Sequence, residues 1–187
     1  MTSNTFIDDI KQGFNLLPKA LRYLLAINIG VFLVGLFGLH SKLMQWFGYL
    51  PNIETTLTQP WRIVTYTFIH SMRNPFHIVF NMLILWFFGK PVEQAMGTRS
   101  FTALYFISAI GGALIQMTWA HISGDGLNIS VIGASGAVMG VTAAFGLFLF
   151  PNMQVLFFFI PMPARYLVAL LIGIDLLFIG SGDNVAR

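Results

Sequence analysis

The fold class this sequence predicts is an all-α membrane protein, a bundle of five crossing helices with a structured interfacial loop after the first. Three observations predict it. Of the 187 residues, 56% are hydrophobic and only 9% charged, with a mean hydropathy of +0.75, which leaves too little polar surface to coat a soluble globule of this size. Apolar stretches long enough for a bilayer, which takes roughly 20 residues each, recur along the chain between short polar segments. The basic residues stand singly near the ends of these stretches, and the formal charge is only +3; this suits membrane orientation and argues against a nucleic-acid partner. The chain has no cysteine, which removes disulfides and thiolate metal sites. Neither a metal nor an organic cofactor is indicated.

Residues 1–19 form an N-terminal cytoplasmic or interfacial segment, and residues 20–187 the membrane domain. The first segment mixes acids and amides with Phe6, Ile7, Ile10, Phe14, Leu16 and Leu17, a pattern suited to an amphipathic helix on the membrane face and too polar for a cleavable signal peptide. The first crossing runs from about Ala20 to Leu39, and Lys19 and Arg22 at its entrance favour a cytoplasmic N-terminus.

The connection from His40 to His70 is too aromatic for a free loop, with Trp46, Phe47 and Tyr49, yet carries Lys42, Pro51, Glu54, Pro60 and Arg62. Such a mixture belongs at the water–lipid boundary. Trp61-Arg62 has two readings there: a tie that buries the indole and sets the guanidinium on backbone carbonyls, or an interfacial anchor without a partner. His70 is assigned to loop structure.

Asn74-Pro75 reads as a helix start, asparagine capping and proline first in the helix. His77 then falls in the first turn and Asn81 four residues on, so both project from one face of an otherwise greasy second crossing. Polar groups at membrane depth need partners. The pair either shares a target on a neighbouring helix or makes bonds that only stabilise the bundle. After Gly89, the segment through Arg99 is expected to be a bent cytoplasmic connection. The third crossing spans about Phe101 to Trp119, and His121 to Ile129 is a turn-rich outer loop.

The fourth crossing, about Gly133 to Phe150, sets Ser135 near its outer end. Gly133 and Gly136 remove side chains that would shield the hydroxyl, and Gly136 with Gly140 has the small-xxx-small spacing that lets helices pack closely. Serine and glycine also serve simply as packing residues in such helices. The run Val155 to Ile160, bounded by Pro161 and Pro163, is too short to span and is placed along the inner interface. Arg165 starts a fifth crossing that ends near Gly180, with Asp175 inside it. On this layout Lys11, Lys19, Arg22, Lys90, Arg99 and Arg165 lie inside, against Lys42, Arg62, Arg73 and Arg187 outside. The layout brings Ser135, His77 and Asn81 to similar depth.

Together, Trp61-Arg62, His77-Ile78-Val79-Phe80-Asn81, Glu93 through Gly97-Thr98-Arg99, and Gly133-Ala134-Ser135-Gly136 resemble the rhomboid family of intramembrane serine proteases. The resemblance runs from the first crossing to the C-terminus and implies a rhomboid-like polytopic helical bundle. It further implies hydrolysis of the transmembrane segments of other membrane proteins, with Ser135 as nucleophile and His77 and Asn81 as oxyanion donors beside the serine's own amide. Gly133, Gly136, Trp61 and Arg62 take supporting roles. The physical reading agrees, since a tetrahedral oxyanion needs donors aimed at it in a dry site. A histidine in a helix's first turn is favoured in its neutral form.

In the family the base is a histidine on a sixth crossing. Here it is expected beyond Arg187, so the sequence is read as incomplete at its C-terminus and inactive as it stands. The resemblance places the protein in a membrane with its N-terminus inside, most simply a bacterial cytoplasmic membrane. Its partners are transmembrane substrates and the bilayer, and its oligomeric state is left open. The competing reading is a non-catalytic rhomboid-like protein that binds transmembrane helices of client proteins. A channel or transporter fits poorly, without discontinuous helix pairs or a charged pore ring.

Overall fold

The computed structural model describes residues 13–124, 127–157 and 160–180. Helix α1 (Lys19–Val34) follows Pro18 and is built from straight-chain and branched aliphatic residues. It runs on through a widened π turn, Gly35–Leu39, into α2 (His40–Phe47). The axis breaks at Phe37 and at Gly38, whose φ of 86° falls where a side chain is disfavoured. The expected end of the first crossing near Leu39 thus coincides with a kink, and the helix past it belongs to the interfacial loop.

That loop is structured, as its composition predicts. It contains α3 (Ile53–Thr58), capped by Asn52, whose side chain accepts from the Thr55 amide at 2.7 Å. Then come α4 (Arg62–Thr65) and a 3₁₀ turn, Tyr66–Phe68. The buried Arg62 guanidinium donates to the carbonyls of Gly48 (2.7 Å) and Gln45 and to the Gln59 side chain. The indole half of the tie reading is corrected. Trp61 donates to the Trp46 carbonyl at 3.0 Å but its ring stays 44% exposed, because only the N–H needs a partner and the ring is at home in the interface.

Helix α5 (Phe76–Met96) begins one residue after Pro75. The bent connection expected after Gly89 is not there: the helix passes through Pro91 and stops at Gly97, whose φ is 79°. Tertiary bonds hold it. The Glu93 carboxylate accepts the amides of Ala20 (2.9 Å) and Leu21 (2.7 Å) and the Thr98 hydroxyl (2.8 Å), which locks the last turns of α5 onto the start of α1. A bond lost at Pro91 is outweighed by these.

Helix α6 (Thr98–Ser123) leads to the outer loop, and α7 (Ser135–Ala143) runs into a second π turn, Ala144–Leu149. Where an all-α fold is expected, the chain then forms a hairpin of β1 (Gln154–Phe157) and β2 (Ile160–Pro163), antiparallel with Gln154 opposite Pro163 and Phe157 opposite Ile160. Prolines are tolerated there because a two-stranded ribbon is all edge. Helix α8 (Ala164–Gly180) follows; Asp175 lies on it, and its side chain is outside the described ones.

The core joins Leu21, Leu24 and Leu25 of α1 to Leu85, Phe88 and Val92 of α5, Phe101 and Tyr105 of α6, and Val141 and Phe145. Helices α6 and α7 meet at glycines: a side chain on Gly112 would stand 3.3 Å from the Gly136 Cα, and one on Gly140 would overlap the Ser108 hydroxyl. Outward faces carry Phe76, Ile107 and Phe148, all more than half exposed. Among the described residues, Lys19–Phe47 and Thr98–Ser123 are helical stretches long and apolar enough to cross a membrane.

Candidate functional site

Ser135 is the first residue of α7, half-buried, after Ala134. The first amides of a helix have no partner inside it, so the N–H groups at this end are available. The approach to the serine is stitched to the interfacial loop. Tyr49 and Val131 exchange two backbone bonds (3.0 and 2.7 Å), and the Gly133 amide donates to the Tyr66 carbonyl at 3.0 Å.

At Gly133 the chain takes φ +112°, and a side chain there would stand 2.6 Å from Cε1 and 2.8 Å from Nε2 of His77. The imidazole of α5 therefore lies directly against the backbone two residues before the serine. The His77 ring thus stands beside the segment that leads into α7. Asn81 is buried on the same helix, but its Nδ2 donates at 2.7 Å to the His77 carbonyl, one turn back. The ring of His77 reaches the segment before α7, while the carboxamide of Asn81 is tied to the turn that carries it. The Ser135 hydroxyl has no hydrogen-bond partner among the described residues.

His70, assigned to loop structure by the sequence, is a neighbour of this site. Its ring is fully buried, 5.3 Å from the His77 ring at an edge-on 60°, and its Nε2 accepts the Ala134 amide at 3.4 Å. Burial, and then the nearness of His77, pull its pKa down to about 3. It is a neutral ring with an accepting Nε2. Pro75 and the seven-residue separation from His77 hid it; the signal was a histidine closing the apolar run Tyr66 to Ile69.

Tyr66 was also missed. Its hydroxyl donates to the Ala109 carbonyl at 2.7 Å and sits 3.3 Å from where a Gly112 side chain would begin, sealing the α6–α7 contact beneath Ser135. The remaining histidines are elsewhere: His121 bonds the Met117 carbonyl of its own helix, and His40 sits against Gly35 at the kink. Among the described residues no group of three metal-ligating side chains occurs. A hydroxyl at a helix start, with the His77 imidazole against the backbone two residues before it, suits a reaction in which negative charge develops beside that hydroxyl.

The family model for the Rhomboid domain matches residues 57–187. The chain is 34% identical over 158 residues to Rhomboid protein 1, mitochondrial, of Saccharomyces cerevisiae, covering 84% of this chain and 44% of that protein. It is 39% identical over 93 residues to Rhomboid protease AarA of Providencia stuartii, covering 45% and 32%. With Rhomboid protease GlpG of Serratia proteamaculans the identity is 28% over 145 residues, covering 73% and 49%. The chain spans less than half the length of each of these relatives.

Proposed function

The chain belongs to the rhomboid family of integral membrane proteins, and from that premise we propose that it carries the nucleophile of an intramembrane serine endopeptidase that cleaves transmembrane segments of other proteins. Residues 20–187 are its membrane domain. The crossings are α1, α5, α6, α7 with its π turn, and α8, with Lys19, Arg22, Lys90, Arg99 and Arg165 on the inner side.

In this reading the Ser135 oxygen attacks the scissile carbonyl while its proton passes to a histidine on a further helix beyond residue 187. The carbonyl oxygen, now anionic, accepts from the Ser135 amide, a His77 ring N–H and the Asn81 carboxamide. Collapse forms the ester, expels the amine with the transferred proton, and water then releases the acid. The base is placed outside the described histidines because Nε2 of His70 is taken up by the Ala134 amide, Nδ1 of His121 by the Met117 carbonyl of its own helix, and His77 packs on Gly133.

The observation that carries the proposal is the contact of the His77 ring with Gly133, two residues from the hydroxyl. The test is Ser135→Ala in the protein carrying the further helix, reconstituted in liposomes with a transmembrane reporter. Cleavage should vanish with the unfolding temperature unchanged, and labelling by a fluorophosphonate should vanish with it. Retained cleavage removes Ser135 from the mechanism; a folded wild-type protein that neither cleaves nor labels favours a helix-binding role.

A further inference from the structure

The break at Phe37 and Gly38 turns α2 out of the line of α1, and the corner between them is not filled. Ile27 and Val31, four residues apart on α1, line one side of it, and Leu43 and Phe47, four apart on α2, line another. Thr65, Phe68 and Ile69 close the third side, and the space between is a cavity of about 160 Å³. Among the described residues that line it, Thr65 alone is polar, and its hydroxyl proton is already given to the Phe47 carbonyl at 3.0 Å. That is fewer than the two to four polar partners a buried water uses, so the cavity is no place for water. It is not sealed either. Ile27 is 46% exposed and Phe47 41%, while Ile69 is only 2% exposed, so the cavity runs from the apolar surface to the interior.

We propose that this cavity is a binding site for the end of one phospholipid acyl chain. Size and charge both select that occupant. A cavity of roughly 150 Å³ with aliphatic and aromatic walls takes a guest about as large as benzene, whereas a helix with its side chains is about 10–12 Å across. Neither a substrate helix nor a second copy of this chain fits. A flexible hydrocarbon tail does, and it restores the dispersion contacts that the bare walls lack. Lys42 supplies the charge. It precedes Leu43 on α2 and shares an exposed helical face with Trp46, whose carbonyl takes the Trp61 indole N–H. An ammonium among indoles marks the level of lipid phosphates, and a phosphate held at Lys42 leaves its tail beside the cavity.

The site has a consequence for the outer end of the molecule. Its third wall spans Tyr66, whose carbonyl holds the Gly133 amide, and leads into His70, whose ring accepts the Ala134 amide. The lipid tail thus braces the turn that seats the approach to α7, and this holds whatever chemistry Ser135 performs.

The test is methyl NMR on the protein carrying the further helix, perdeuterated except for its isoleucine δ1 methyls, in phosphatidylcholine nanodiscs. Ile69 and Ile78 are both buried, but only Ile69 lines the cavity, and Ile107 is 68% exposed. Cross-relaxation to the lipid chain methylenes should appear at Ile107 and at Ile69 and be missing at Ile78. A signal at Ile107 with none at Ile69 overturns the site and needs no variant to read. With chain-deuterated phosphatidylcholine both signals should vanish; an Ile69 signal that survives assigns the cavity to another occupant and overturns the proposal. In Leu43→Trp, which fills the cavity, Ile69 should lose its signal while Ile107 keeps its own. An undiminished Ile69 signal in that folded variant overturns the site as well, since lipid then reaches Ile69 by another route.

Discussion

A hydrogen atom in place of a side chain at Gly133 is what lets an imidazole lie beside Ser135. The residue sits at φ +112° with the His77 ring 2.6 Å from where a Cβ would be, so Gly133→Ala meets both backbone strain and a collision. The strained backbone alone costs on the order of 1–3 kcal/mol. We expect Gly133→Ala to lose that much stability and nearly all cleavage, read by thermal unfolding in detergent and by reporter cleavage in liposomes. Wild-type cleavage in this variant means the ring is not needed where it stands. Asn81 separates two roles by kinetics. If its carboxamide meets the oxyanion, Asn81→Ala raises the barrier by about 2.7–4 kcal/mol and lowers kcat with KM little changed. A change confined to stability returns Asn81 to fixing the His77 carbonyl. At this scale, sequence periodicity sets His77 and Asn81 on one face of one helix because helical spacing is rigid. It misses His70 and Tyr66, which reach the site from a loop whose path no periodicity dictates.

Elements behave less locally than their sequences imply. Pro91 reads as a helix end, yet α5 continues past it because Glu93, one turn from the helix end and only 2% exposed, gathers donors from two other segments. Glu93→Gln preserves size but turns one accepting oxygen into a donor that faces N–H groups. Leaving a buried donor of this kind unmet costs about 1–3 kcal/mol, so the variant should lose that much stability and unfold at a lower temperature. An unchanged unfolding temperature means packing alone carries α5 through Pro91. The hairpin of β1 and β2 is the other element that escapes the sequence. A short apolar run bounded by prolines has no period long enough to separate strand from helix, and its pairing partner lies only a few residues away. The long crossings are legible for the opposite reason, since a run of roughly 20 apolar residues has few other uses.

For the molecule as a whole, apolar composition announces a membrane bundle, but which elements lock together depends on buried polar contacts that composition does not reveal. His70 is one such lock: its ring meets His77 of α5 and the Ala134 amide before α7, so three parts of the chain converge on one neutral imidazole. That makes global stability depend on pH, with a definite sign. An unfolded histidine titrates near 6.5, whereas burial, reinforced by His77, holds the folded His70 down to about 3. Above the unfolded value both states are neutral and the contribution is complete. As pH falls from there, the unfolded chain binds a proton that the folded one refuses, and stability drops until the folded pKa is reached. The slope is about 1.4 kcal/mol per pH unit and the total at most about 5 kcal/mol. Other groups titrate in the same window; the comparison that isolates His70 is therefore the wild-type protein against His70→Gln, whose amide can still accept from Ala134 but does not titrate. Unfolding midpoints measured in detergent from neutral to acid pH should fall more steeply for the wild type, and the two profiles should converge in acid. Parallel profiles mean that His70 accepts a proton in the folded state at its ordinary pH, and that it is not the neutral acceptor holding Ala134 in place.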